Sequence, residues 1–127
     1  MTISNTPGLR SYEEAMRSSE TDVVSTLRDM LGAKLVAYIG SVNETRAVRQ
    51  WSEGSRQPGA DTLQRLRLAY QVAGLIAERE QSRVIQAWFQ GLNPLLEDVS
   101  PARLLREGDA DEVGPRVLAA ARAFISV

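Results

Sequence analysis

The sequence contains no cysteine and no histidine. The first absence excludes a disulfide framework, a thiolate nucleophile and cysteine-ligated zinc. The second removes the commonest general base and the commonest transition-metal ligand. Lysine occurs once, as Lys34, among 15 basic side chains, so Arg carries nearly all the positive charge. That skew fits a GC-rich coding bias, and Arg also suits phosphate and guanine recognition. With 16 acidic residues the net charge is −1, which excludes a global polycation for nucleic acid. No apolar run approaches a membrane span. Residues 1–10 lack the charged region and apolar core of a signal peptide. We therefore expect a cytoplasmic protein with no membrane partner. What is present, 127 residues of which 43% are apolar, suffices for one hydrophobic core without staples.

The apolar residues recur with helical rather than strand spacing, so the expected fold is all-α. Residues 1–19 are polar and read as a flexible tail, with a short helix around residues 12–17. Thr21-Asp22 offers a cap for a helix carrying Val23, Val24, Leu27, Met30 and Leu31, stopped by Gly32. A short helix over Ala33–Ile39 closes at Gly40. Ser41-Val42-Asn43-Glu44 has the spacing of a capping box for another helix, which ends near Glu53 and Gly54. Asp61 is placed to cap the longest element, about residues 62–80. A helix over residues 81–90 ends at Gly91, Asn93 and Pro94. Ser100-Pro101 is a strong start signal for a short helix stopped by Gly108. A last helix places Val117, Leu118, Ala121, Phe124 and Ile125 inward. A soft boundary falls near residue 79.

Two short helices across Gly40 to Glu44, the second rich in Arg, describe a helix-turn-helix. In that arrangement the first helix braces the second so that its exposed N-terminal face enters the major groove. Thr45, Arg46, Arg49 and Gln50 lie away from the Val48 and Trp51 face and form the candidate DNA-reading set, with Arg56 beside them. Arg bridges guanine O6 and N7, and Gln pairs with adenine. Arg65 and Arg67 are further candidates for backbone contacts. From Arg46 to Arg67 five Arg face only Glu53 and Asp61, a local charge of +3. The same residues also fit a solvated helix pair with ordinary surface arginines. The usual pattern sets a small residue, a turn glycine four later and an apolar residue six after that. Here it runs Ala37, Ser41, Ala47, while the strong inward residues read as Val48 and Trp51, as though the turn were one residue long.

Catalytic readings are weak. Asp109, Asp111 and Glu112 are spaced like a fragment of a calcium loop, but its glycine and terminal glutamate are missing. A solvated acidic turn at a helix N-terminus accounts for them. The serines have no candidate base. We assign no catalytic residue, no metal site and no cofactor, and expect a protein that is not an enzyme.

The C-terminal block carries Trp88, then Asn93-Pro94-Leu95, then Pro101-Ala102-Arg103-Leu104-Leu105 and Gly108, then an amphipathic helix. This order resembles the toxin-binding domain of Xre/MbcA/ParS-type antitoxins and covers roughly the last 45 residues. Upstream, Trp51 followed by Gly54, Arg56 and Pro58 is similar to the end of that family's recognition helix. The chain departs from the family in its longer polar lead. It also departs at Leu95-Leu96-Glu97-Asp98-Val99, where glycines are expected.

The resemblance implies a helix-turn-helix region over residues 20–78. A long helix joins it to a small toxin-binding domain over residues 79–127. It further implies a non-catalytic antitoxin that occludes the NAD pocket of a RES-domain toxin and binds its own operator DNA. A homodimer and a hetero-oligomeric toxin–antitoxin complex belong to the same expectation. The C-terminal residues Arg122, Phe124, Ile125, Ser126 and Val127 would reach the toxin. Trp51, Trp88, Pro94, Pro101, Leu104 and Gly108 would be structural members of the motifs. Two other readings stay open. One is a helix-turn-helix regulator whose C-terminal helices only dimerise. The other is a protein–protein adaptor that no longer binds DNA.

Overall fold

The computed structural model describes residues 8–12 and 19–126. Among them the fold is all-α. In chain order the helices are α1 (Glu20–Leu31), α2 (Ala33–Ile39), α3 (Thr45–Glu53), α4 (Ala60–Ala77) and α5 (Ser82–Gln90). A 3-10 turn (Pro94–Leu96), α6 (Pro101–Glu107) and α7 (Ala110–Ile125) complete the chain. The anticipated helix at residues 12–17 lies almost wholly outside the described residues, and Val127 lies outside as well.

The long α4 is the spine. Leu66, Ala69, Val72, Ala73, Leu75 and Ile76 are buried along it. It packs against α1, α2, α5, α6 and α7. The buried residues from α1 to α7 form a single cluster, so the turn near residue 79 bends the chain without dividing the core. Part of the expected tail also belongs to the body. Gly8 and Ser11 are buried, the Ser11 hydroxyl donates to the Gly8 carbonyl at 3.0 Å, and Ser11 lies against Gly74 of α4.

Local chemistry sets the helix ends. Ser19, two residues before the expected Thr21, caps α1 by accepting from the Asp22 amide at 3.3 Å. Glu20 and Asp22 in the first turn and Arg28 in the last complement the helix dipole. Gly32, at φ 86° and ψ 152°, makes the break before α2 in a backbone region that is essentially glycine-only. Gly59, not Asp61, sits at the N-cap of α4. Ser100 caps α6 as its sequence promises, accepting from the Arg103 amide at 3.2 Å. Asp109 does the same for α7 through the Asp111 amide at 2.9 Å.

The capping box expected at Ser41 and Glu44 does not form. Glu44 is the N-cap of α3 and its side chain makes no capping bond. Ser41 is used differently. The Ser41 amide donates to the Tyr38 carbonyl at 3.1 Å and the Val42 amide to the Ala37 carbonyl at 3.0 Å. This is a Schellman close to α2, with Ser41 in its left-handed position at φ 59°. Ala37 and Ala47 are both buried, at 4% and 5% exposure. The spacing Ala37, Ser41, Ala47 is therefore the ordinary helix-turn-helix spacing, and the turn is not one residue too long. A serine stands where glycine is the unstrained choice. Ser41→Gly should stabilise the fold by about 0.5–1 kcal/mol, because the left-handed cost to an L-residue exceeds the entropy cost of glycine. A shift of the denaturation midpoint in the opposite direction would contradict that assignment.

A similar substitution marks the loop after the 3-10 turn. Glu97 and Asp98 adopt φ of 58° and 62° in succession. Glycines are therefore the relaxed choice in this stretch. The loop is held by the Asn93 side chain, which accepts from the Leu95 amide at 2.9 Å, and by burial of Leu96.

Candidate functional site

The first candidate surface is the outer face of α3. Ala47, Val48 and Trp51 are buried, which turns Thr45, Arg46 and Arg49 to solvent and leaves Gln50 half-buried. These four positions follow helical spacing and share one face. Gly54, at φ 77°, closes α3 with a second Schellman pattern. The Ser55 and Arg56 amides both donate to the Gln50 carbonyl, which brings Arg56 back alongside the helix. An open groove of about 500 Å³ runs between the turn and α3, with Asn43, Arg46, Gln50 and Arg56 among its lining residues. Arg49 is exposed on the same face but outside that groove.

The turn itself is anchored from below. The Thr62 hydroxyl of α4 donates to the Gly40 carbonyl at 3.2 Å. A Cβ at Gly40 would lie 3.4 Å from the Trp51 ring and 3.2 Å from the Val36 carbonyl oxygen. Trp51 thus fills the space under the turn and fixes the direction of α3. Arg65 and Arg67 do not join this surface. Both are half-buried on α4, where they line pockets beside the start of α7 with Gln64 and Asp111.

The second candidate surface lies at the end of α5, the 3-10 turn and the end of α7. Arg122 and Ser126 are exposed, and Phe124 is 37% exposed. Phe124 leans on Trp88 with ring centroids 6.3 Å apart, and Trp88 meets Phe89 edge-on at 5.3 Å. Ile125 does not belong with them. At 7% exposure it is a core residue, inward as the helical stripe requires. Leu92 and Leu95, at 75% and 64% exposure, are the most exposed large apolar side chains among the described residues. Leu95 enters the sequence reading only as part of the Asn93-Pro94-Leu95 motif and of the departure from glycines after it, and Leu92 not at all, although two leucines flanking Asn93-Pro94 in a turn are out of place for a solvated loop.

The remaining motif residues other than Leu104 sit at element ends. Pro101 opens α6 and is buried, and Leu104 is partly buried against the core. Pro94 opens the 3-10 turn. A Cβ at Gly108 would overlap Val113 Cγ1 and sit 2.8 Å from the Leu104 carbonyl oxygen, so this position admits only glycine between α6 and α7. Among the described residues no group of His, Cys, Asp or Glu is arranged to hold a metal ion. Among the described residues no helix is long and apolar enough to cross a membrane.

No family model and no curated protein matches the chain. Among solved structures it is similar to a chain of the M. tuberculosis MbcT-MbcA toxin-antitoxin complex. The TM-score is 0.65 and the identity 29%, over 84% of this chain and 96% of that one. The all-α fold, the order of the motifs from Trp51 to Gly108 and this similarity are together consistent with the MbcA-type antitoxin family.

Proposed function

We propose that the chain is an antitoxin. It binds a toxin through the surface around Trp88, Leu92, Leu95, Arg122 and Phe124, and binds its operator DNA through α3. The similarity to a toxin–antitoxin complex over most of both chains carries the antitoxin role. The exposed leucines and Phe124 support the placement of the toxin contact, because an apolar cluster left in water marks an interaction surface. The toxin is of the RES class, by the resemblance of the C-terminal motifs, and neutralisation works by covering its NAD pocket. Ser126 and Val127, which come after the buried Ile125, belong to the same proposed contact. The role needs binding surfaces and no catalytic group.

On the DNA side, a single short recognition helix gives limited affinity. A homodimer spanning two half-sites about one helical turn apart supplies the rest. Arg46→Ala and Arg49→Ala should each weaken operator binding by roughly 1–3 kcal/mol where the side chain reads a base. The test is a gel-shift titration on the promoter upstream of the gene. A double variant that binds as tightly as the parent would refute α3 as the reading face.

A further inference from the structure

Beside the α3 groove lies a second open groove of about 670 Å³, with Lys34, Tyr38, Asn43, Thr45, Arg46 and Arg106 among its lining residues. Its cations come from the consecutive helices α2 and α3 and from α6, far along the chain. Arg106 is fixed there by two contacts. Its guanidinium donates to the Tyr38 carbonyl at 2.7 Å and lies 4.7 Å from the centre of the Tyr38 ring. Only one carboxylate, Glu44, lines the same groove. Among the described residues none of Lys34, Arg46 and Arg106 forms an ion pair. By contrast, the neighbouring Arg103 is paired with Glu107 at 2.9 Å.

We infer that this groove holds a phosphate of the DNA backbone, with Arg106 of the C-terminal half as a DNA contact alongside Lys34, next to the α3 reading face. The inference rests on the DNA-binding role proposed above and adds to it a contact outside the helix-turn-helix. Three unpaired cations lining one groove repel one another, and an anion between them removes that repulsion. The Arg106 fork retains donors beyond the one given to Tyr38, and a planar guanidinium matches a phosphate oxygen pair. α3 begins at this groove, with Glu44, Thr45 and Arg46 among its lining, and its N-terminus has no side-chain cap. Thr45 and Asn43 add neutral donors of the kind that position a duplex without reading its sequence.

The full chain would be titrated by fluorescence anisotropy against two duplexes of about 30 base pairs, long enough for two half-sites. One carries the upstream promoter and the other is unrelated. The titrations run from about 50 to 200 mM salt. Arg106→Gln and Lys34→Gln should each weaken binding to both duplexes alike. Each should also lower the slope of log affinity against log salt, by up to about 0.9, the value of one phosphate contact. Arg106→Lys keeps the charge and should keep the slope. A parent-like slope for Arg106→Gln, in a parent that binds the promoter through Arg46 and Arg49, would overturn the groove and leave the α3 reading standing. A parent that binds neither duplex would overturn both. Lys34 is exposed and forms no ion pair among the described residues, so its variant separates charge loss from any packing effect at Tyr38.

Discussion

Trp51→Ala should lower the stability of the chain by about 3–5 kcal/mol. Trp51 is 3% exposed in the last turn of α3, beneath the Gly40 turn and within the same core as α1 and α4. Its removal opens a cavity at the point where the turn, α3 and the Thr62 anchor converge, and the backbone there has little freedom to collapse. A domain of this size is stable by only about 5–15 kcal/mol, so the loss is a large fraction of the whole. The indole N–H has no acceptor among the described residues, which makes the contribution one of packing. Trp51→Phe should therefore retain most of the stability. Denaturant midpoints of the three proteins check both statements. A Trp51→Ala midpoint within about 0.5 kcal/mol of the parent, the range of a neutral surface change, would contradict the packing role.

Much of the architecture was legible from punctuation alone. The Ala33–Ile39 helix has the limits its sequence sets, because glycines flank it on both sides. Ser100-Pro101 and Gly108 likewise bound α6 as expected. The failures share a cause. Ser41 has the spacing of a capping box, but its amide is needed to close α2. That closure fixes φ at a left-handed value and takes the hydroxyl away from α3. Two local motifs competed for one residue, and tertiary packing of Ala37 and Ala47 decided between them. The expected tail shows the same limit. Gly8 and Ser11 look like coil residues, and only the close approach allowed by Gly74 gives them a place in the body.

The candidate surfaces were legible in unequal measure. The outward face of α3 follows from period and burial, so Thr45, Arg46 and Arg49 are where the sequence puts them. Arg65 and Arg67 share their charge but project from α4 elsewhere, a distinction that net charge over a window cannot make. Arg106 meets Tyr38 across 68 residues, and no local pattern signals such a contact. At the C-terminus the helical stripe already assigned Ile125 inward. The family resemblance puts it among the partner-facing residues instead, and the burial of Ile125 sides with the periodicity.

The burial of Ile125 also decides how the toxin surface is best tested. Deleting residues 122–127 would remove a core side chain together with the proposed contact and so mix folding with binding. Arg122→Glu combined with Phe124→Asp changes two exposed positions and leaves Ile125 in place. The substitutions put two negative charges on an apolar surface that must be desolvated on docking, and an unpaired buried charge is among the costliest interface errors. The double variant should stay folded and lose toxin neutralisation outright, while Arg46→Ala with Arg49→Ala neutralises as the parent does.

The deciding measurement is growth rescue on co-expression with the product of the adjacent gene, with co-purification and thermal melting of each variant alongside. The parent and the α3 double variant should rescue growth and retain the partner, and the folded Arg122→Glu, Phe124→Asp chain should do neither. Full rescue by that folded chain would contradict the placement of the toxin at the end of α7. Absence of rescue by the parent would contradict the antitoxin role itself.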